Sequence, residues 1–334
     1  MGVTHSLCNI IDKYSQRDEK AYFGVGLRPS GIIHLGNMAT LSLGGLAAYK
    51  LGPHISEMQV TVCDLDMPDQ RDWNIRKEGY TKYFADLPDP RECHQNLLAH
   101  SLEGITDFAE GIESELGVKT NIRLLSEIQR APEFRVALKR VLDDPSIMRY
   151  LFPRLGENQT LVFPICSDCH TASSVPSMYN GHTLVNACTN PSCETQAYEV
   201  DVMDTSKDIA VHYFIDPLRD RAITPKTDVH VFGGDYSSEH EGNARKVEKI
   251  MSVIAKANCG EVPDILMGPT FYARDGEKMS KRKENGLTRE NLKEHFGKDY
   301  VKRVLDLADQ ISSKGVRVVD YTLVEEGLFG KKFS

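Results

Sequence analysis

Residues 22–50 read YFGVGLRPSGIIHLGNMATLSLGGLAAYK, and this stretch decides the fold. Tyr22-Phe23-Gly24-Val25-Gly26-Leu27 is short and apolar, the pattern of a central strand in a parallel sheet. Arg28-Pro29-Ser30-Gly31 ends it, because Pro fixes φ and Gly allows positive φ. Beyond the turn, Met38, Leu41, Leu46 and Tyr49 recur at helical spacing until Gly52-Pro53 stops the run. A helix that opens on His34-Leu35-Gly36-Asn37 directly after a strand is expected to aim unpaired backbone N–H groups and its positive end at an anion. The far end of the chain supplies cations for the same anion, in Lys278-Met279-Ser280-Lys281.

Working outward, residues 58–63 form a second strand that runs into Asp64-Leu65-Asp66. Acidic residues just past a strand's carboxyl end lie where open parallel sheets place ligands, and they equally serve to cap the next turn. Residues 67–91 are polar, rich in Asp and Pro, hold the single Trp73, and read as a surface excursion. Helices are expected at 95–116, 132–143, 145–155, 207–214 and 239–257, with two shorter ones at 288–296 and 300–310. Strands are expected at 120–125, 228–232 (running into Gly233-Gly234-Asp235) and 264–267. Strands and helices that alternate in this way predict an α/β fold with a doubly wound parallel sheet.

Composition bounds the function. The 334 residues suffice for a full α/β core with an insertion, and no apolar run approaches the roughly 20 residues of a membrane helix. Residues 1–20 are polar and of mixed charge, unlike a signal peptide, so a cytoplasmic protein is expected. A net charge of −8 argues against a broadly basic surface for nucleic acid but leaves room for a local groove.

Of eight cysteines, Cys8, Cys63, Cys93 and Cys259 are scattered, while Cys166-x2-Cys169 and Cys188-x4-Cys193 are clustered. Two thiolate pairs on tight turns can close a tetrahedral structural zinc site; the bland alternative is four reduced, metal-free thiols. His170, beside Cys169, could replace one of these ligands but reads better as solvated.

His34-x-Gly36-Asn37 and Lys278-Met279-Ser280-Lys281 are weak signals singly. About 240 residues apart, one after the first strand of a sheet and one after its last, they are far stronger together. The pair resembles the two signatures of class I aminoacyl-tRNA synthetases, usually summarised as HIGH and KMSKS. With Arg28-Pro29-Ser30-Gly31-Ile32-Ile33-His34-Leu35-Gly36-Asn37, Asp64-Leu65-Asp66, the cysteine block and Phe232-Gly233-Gly234-Asp235, residues 20–300 most resemble class I lysyl-tRNA synthetase. Tryptophanyl- and tyrosyl-tRNA synthetases share a similar first signature but typically lack such a cysteine insertion, and a glutamyl-type catalytic fragment is another candidate relative.

The resemblance implies a Rossmann-like, HUP-type sheet interrupted by a module that contains a zinc ribbon. Its expected parts are an arm (1–20), the first half of the nucleotide-binding domain (21–130), a connective module with the four-cysteine zinc site (131–205), the second half with the lysine loop (206–285) and a short helical tail (286–334). It also implies ATP-dependent activation of an amino acid as its adenylate, with Mg²⁺ held mostly through the phosphates and structural Zn²⁺ on Cys166, Cys169, Cys188 and Cys193. By motif, His34 and Asn37 contact the phosphates, and Lys278 and Lys281 neutralise charge that develops on them. Ser30, Gly36, Gly233, Gly234, Asp235, Met279 and Ser280 line the ATP site.

Asp64, Asp66, Tyr213, Asp235, Tyr236 and His240 are the expected readers of the amino acid, lysine or a relative of it. Three departures stand out. Arg282 follows the second signature where Ser is usual, and residues 200–221 contain no Trp where the lysine branch is Trp-rich. Only about fifty residues follow Lys281, too few for the family's helical anticodon-binding domain, so the expected acceptor is a small-molecule amine or the acceptor arm of tRNA. A non-catalytic paralogue that binds nucleotide or amino acid is the competing class.

Overall fold

The computed structural model describes residues 4–65, 80–81, 84–89, 91–173, 175–234, 241–257, 260–279 and 285–330. Its centre is a parallel sheet of six strands: β1 (Thr4–His5), β2 (Ala21–Leu27), β3 (Ser56–Val62), β4 (Thr120–Leu124), β5 (Val229–Phe232) and β6 (Asp264–Met267). Their lateral order is β1-β6-β5-β2-β3-β4, and every pairing is parallel. All seven residues of β3 are buried, as a strand covered on both faces requires. From β2 the chain winds one way through β3 and β4 and the other way through β5 and β6. The sheet's topological switch therefore lies between β2 and β5, and ligands of open parallel sheets bind at the carboxyl ends of such a pair.

Helix α2 (Leu35–Leu51) is apolar nearly all round, which marks it for burial on every side. Two adjacent glycines let it sit close. A Cβ on Gly44 would stand 3.0 Å from Val25 Cγ2, and one on Gly45 would stand 2.6 Å from Ile112 Cγ2 of helix α3 (Leu97–Leu116). Tyr49, expected in the apolar stripe, faces solvent instead at 48% exposure. Asn96 caps α3 at its start and Gly117, at φ 68°, ends it.

The first twenty residues carry β1, which extends the sheet along β6, and helix α1 (Leu7–Tyr14), whose Leu7, Ile10 and Tyr14 are buried. Between β4 and β5 lie helices Leu125–Gln129, Pro132–Leu142 and Pro145–Leu151, then an antiparallel sheet of four short strands that ends in Ala197–Asp201. Phe134, Leu138 and Val141 of this segment join Ile250, Val253 and Ile254 of helix Glu241–Lys256 in a second core, which reaches Phe232 and Ile265 on the sheet face opposite α2.

Residues 207–214 are not the expected helix. Ile209–Val211 is a buried strand that pairs with Val162–Pro164, a partner that local periodicity does not reveal. Past the lysine loop, helices Arg289–Phe296 and Tyr300–Ser313 occur as expected, and Tyr321–Phe329 adds a third. Val301, Val304 and Leu305 join the core built on α2. No helix of the described residues is long and apolar enough to cross a membrane.

Candidate active site

His34 is the N-cap of α2: its Nδ1 accepts the Gly36 N–H at 3.0 Å, and Asn37 Oδ1 accepts the His34 N–H at 3.4 Å. Gly36 leaves room for that ring, since a Cβ there would lie 2.9 Å from His34 Cε1. The Leu35 N–H donates to the Leu287 carbonyl at 2.8 Å and the Asn37 N–H to the His34 carbonyl at 2.9 Å. The expectation of unpaired N–H groups in this turn is thus corrected. The helix start keeps its dipole, while its first amides are already taken.

The second signature lies on a hairpin. Lys278 bridges to Tyr272, the Met279 N–H donates to the Phe271 carbonyl at 2.8 Å, and the turn between closes with the Gly276 N–H on Ala273. Met279 is buried in the main core, where it anchors the loop. Desolvation of the Lys278 ammonium group lowers its pKa from the ordinary lysine value.

The chain that follows then returns to the first signature. His34 and Thr288 form an antiparallel bridge, and the Arg289 N–H donates to the Ile33 carbonyl at 3.1 Å. A Cβ on Gly286 would stand 3.8 Å from both His34 Cβ and Met279 Cβ, so the two signatures are in side-by-side contact through one glycine.

At the end of β5, Gly233 faces Thr40 of α2, where a Cβ would lie 3.5 Å from Thr40 Oγ1. Gly234 is fixed by a backbone crossing: a Cβ would lie 2.3 Å from the Pro269 carbonyl oxygen, and its own carbonyl accepts from Thr270 Oγ1 at 2.9 Å. Asp64 is buried, and its carboxylate accepts the Ser126 N–H at 2.9 Å and the Ser126 hydroxyl at 2.6 Å. Burial raises its pKa against those bonds, and its position is that of a cap on the helix after β4. Tyr213, partly buried against the second core, makes tilted ring contacts with His212 and Phe214. Asp66, Asp235, Tyr236, His240, Ser280 and Lys281 lie outside the described residues.

Sequence reasoning missed Arg219. Its guanidinium lies over the end of β2, where a Cβ on Gly26 would meet Nη2 at 2.2 Å, and Arg219 is only 5% exposed. Asp216 and Asp220 flank it. Burial opposes the Asp220 carboxylate, but His230, Arg219 and Arg123 around it prevail and hold its pKa down. The signal in the sequence was a glycine at a strand end where an apolar side chain would otherwise pack.

Sequence reasoning also left Cys93 among the scattered thiols, yet it converges with Asp89, His94 and His100.

The expected zinc ligands come together. Sγ of Cys166 lies 3.8 Å from that of Cys193, Sγ of Cys169 lies 3.5 Å from that of Cys188, and all four are mutually within 4.8 Å. A tetrahedral site with Zn–S bonds of about 2.3 Å has S–S edges of about 3.8 Å, whereas a disulfide bond measures about 2.05 Å. The donor set therefore suits a structural zinc ion with no open position.

A capped helix start, a glycine pair and a lysine hairpin gathered about the switch point of a parallel sheet are the features of a nucleotide-binding α/β domain. The profile of the family described as tRNA synthetases class I (K) matches residues 5–305, and the chain belongs to that family. Among curated relatives, the lysine–tRNA ligase of Archaeoglobus fulgidus is 26% identical over 165 residues, 48% of this chain and 34% of that protein. That of Thermococcus kodakarensis is 25% identical over 156 residues, 42% and 28% respectively. The matches thus span about a third of those relatives' length. Of solved structures, tyrosyl-tRNA synthetase of A. fulgidus with L-tyrosine aligns at TM-score 0.44 and 17% identity over 86% of this chain and 68% of that one. Tyrosyl-tRNA synthetase of Aeropyrum pernix aligns at TM-score 0.44 and 9% identity over 86% and 71%.

Proposed function

We propose that the protein is an ATP-dependent ligase that activates lysine or a related amino acid as its aminoacyl-adenylate. The supporting observation is the junction of the two signatures: His34 bridges Thr288, and Gly286 lies between His34 and Met279, the neighbour of Lys278. In this reading the amino-acid carboxylate attacks the α-phosphate of ATP and pyrophosphate departs. Positioning and electrostatics carry the step, with the charge that develops on the phosphates met by Lys278 and Lys281 and by the positive end of α2. Mg²⁺ enters with the triphosphate. Zn²⁺ on Cys166, Cys169, Cys188 and Cys193 would order the inserted module and take no part in the chemistry.

Lysine is favoured because the curated relatives are lysine–tRNA ligases. The acyl group passes to a small-molecule amine or to the acceptor arm of tRNA. Amino-acid-dependent exchange of pyrophosphate into ATP, run over a panel of amino acids, tests the activation step. Transfer of labelled amino acid to total tRNA, against a panel of amines, separates the acceptors. Absence of exchange with every amino acid, together with retained nucleotide binding, would favour a non-catalytic paralogue.

A further inference from the structure

Helix α3 carries a glycine that its backbone does not require. Gly104 lies in the helix interior, its φ is not in the left-handed region, and glycine at such a position weakens a helix relative to alanine. What needs the space is Arg289. A Cβ on Gly104 would lie 3.1 Å from Arg289 Nη1 and 3.8 Å from its Cδ. The guanidinium is seated against this bare turn of α3, and the Arg289 side chain is only 11% exposed.

Carboxylates line the slot. Glu103 Oε1 accepts from Arg289 Nη2 at 3.0 Å, Asp107 Oδ2 lies 3.2 Å from Nε, and Glu290 approaches Nη1 at 3.9 Å. Burial opposes the guanidinium charge, but these carboxylates outweigh it and raise the Arg289 pKa. The two carboxylates of α3 are themselves held, Glu103 by His94 Nε2 at 2.7 Å and Asp107 by Lys293 at 3.0 Å and by the Tyr300 hydroxyl. A planar fork between two anchored carboxylates is fixed in direction as well as in place.

The main chain of the same residue reaches the first signature. The Arg289 N–H donates to the Ile33 carbonyl at 3.1 Å and the Leu35 N–H to the Leu287 carbonyl at 2.8 Å, one on each side of the His34–Thr288 bridge. Helix α3 grips the other end of that turn too, since the buried Ser101 donates to the Gly31 carbonyl at 3.0 Å and accepts the Gly31 N–H at 3.1 Å. Residues 31–35 and residues 287–289 are therefore both attached to the turn of α3 that holds Ser101 and Gly104. Glu103 is 53% exposed, and ion pairs to exposed carboxylates add little stability, so the consequence of this network is geometry.

We propose that Arg289 is a positioning residue for amino-acid activation: seated in the slot left by Gly104, it holds residues 287–289 on residues 33–35 and sets the spacing of the two signatures. It acts through the main chain and not by contact with substrate. The role rests on the activation reading given above, so the amides are measured apart from turnover.

Gly104→Ala is the discriminating variant. Alanine strengthens the helix while its methyl group displaces the guanidinium, so the midpoint of urea unfolding should not fall. Hydrogen exchange at the Leu35 and Arg289 amides should nevertheless quicken at least about fivefold, the lower end of ordinary coupling between sites. Arg289→Ala should quicken the same amides, and Gly104→Ala should add nothing to it once the guanidinium is gone. Wild-type exchange at both amides in Gly104→Ala, or independent effects of the two substitutions, would overturn the role. Glu103→Gln with Arg289→Ala forms a second cycle, with the same non-additivity expected, that stands even where Gly104→Ala does not fold. In pyrophosphate exchange, Gly104→Ala should lower kcat by up to about a hundredfold, the loss that a misplacement of about 1 Å brings, with KM for ATP nearly unchanged. A raised KM with wild-type kcat would contradict positioning. A wild-type protein that activates no amino acid would defeat the activation reading, while the amides would still decide whether Arg289 holds the junction.

Discussion

His34 and Thr288, 254 positions apart in the chain, pair as an antiparallel bridge. The bridge matters because each residue also begins a helix. His34 caps α2, and Thr288 caps Arg289–Phe296 by accepting the Asn291 N–H at 3.3 Å. Two helix starts are thereby locked to each other beside the loop that carries Lys278.

His34 has two separable roles, and substitutions distinguish them. His34→Ala removes the cap and should cost about 0.5–2 kcal/mol of stability in denaturant titration. His34→Asn supplies another capping oxygen and should recover most of that stability. Pyrophosphate exchange should stay low in both variants if the imidazole also meets phosphate. Recovery of exchange in His34→Asn would reduce His34 to a cap.

Lys278 sets an alkaline limit. Its pKa is lowered by desolvation, so its positive charge is lost at a lower pH than that of an ordinary lysine. A step that needs the charged form should decline as pH rises through this lowered value. The pH profile of exchange should show that limb, and Lys278→Arg should move it upward, because a guanidinium stays protonated throughout.

Gly234 is held by backbone on the opposite side. Gly234→Ala puts a methyl group against the Pro269 carbonyl, which cannot swing away as a side chain could. The variant should lose about 1–3 kcal/mol in urea unfolding, the range of an overpacked core. Wild-type stability in that variant would show that the 268–270 segment yields easily.

The inserted module should depend on its own metal. Cys166→Ser/Cys193→Ser removes one thiolate from each pair, and the antiparallel sheet that ends in Ala197–Asp201 should lose hydrogen-exchange protection while β2 and β3 keep theirs. Equal protection of the two regions would show that the module stands without zinc.

The core of this molecule was legible because its signals are local. An apolar strand, a Pro/Gly turn and a helix that starts at His34 all lie within thirty residues, and β2 and α2 occur where they indicate. Residues 207–214 were misread because Ile209–Val211 is a strand only by virtue of Val162–Pro164. The Leu35 amide at the start of α2 seemed unpaired because its partner, Leu287, comes from the far end of the chain, and the next amides turn back on His34. Asp64 lay between a ligand role and a capping role in sequence, and Ser126 occupies both of its oxygens. Cys93 was passed over because its partners are two histidines and an aspartate, a mixed donor set with no repeated cysteine spacing to reveal it.

The central claim is carboxylate activation at the joined signatures, and amino-acid-dependent exchange of labelled pyrophosphate into ATP tests it most directly. The wild-type protein should catalyse exchange with lysine or a related amino acid, and Lys281→Ala should reduce it by orders of magnitude while the unfolding transition stays in place. Exchange that is unchanged in Lys281→Ala would contradict the account.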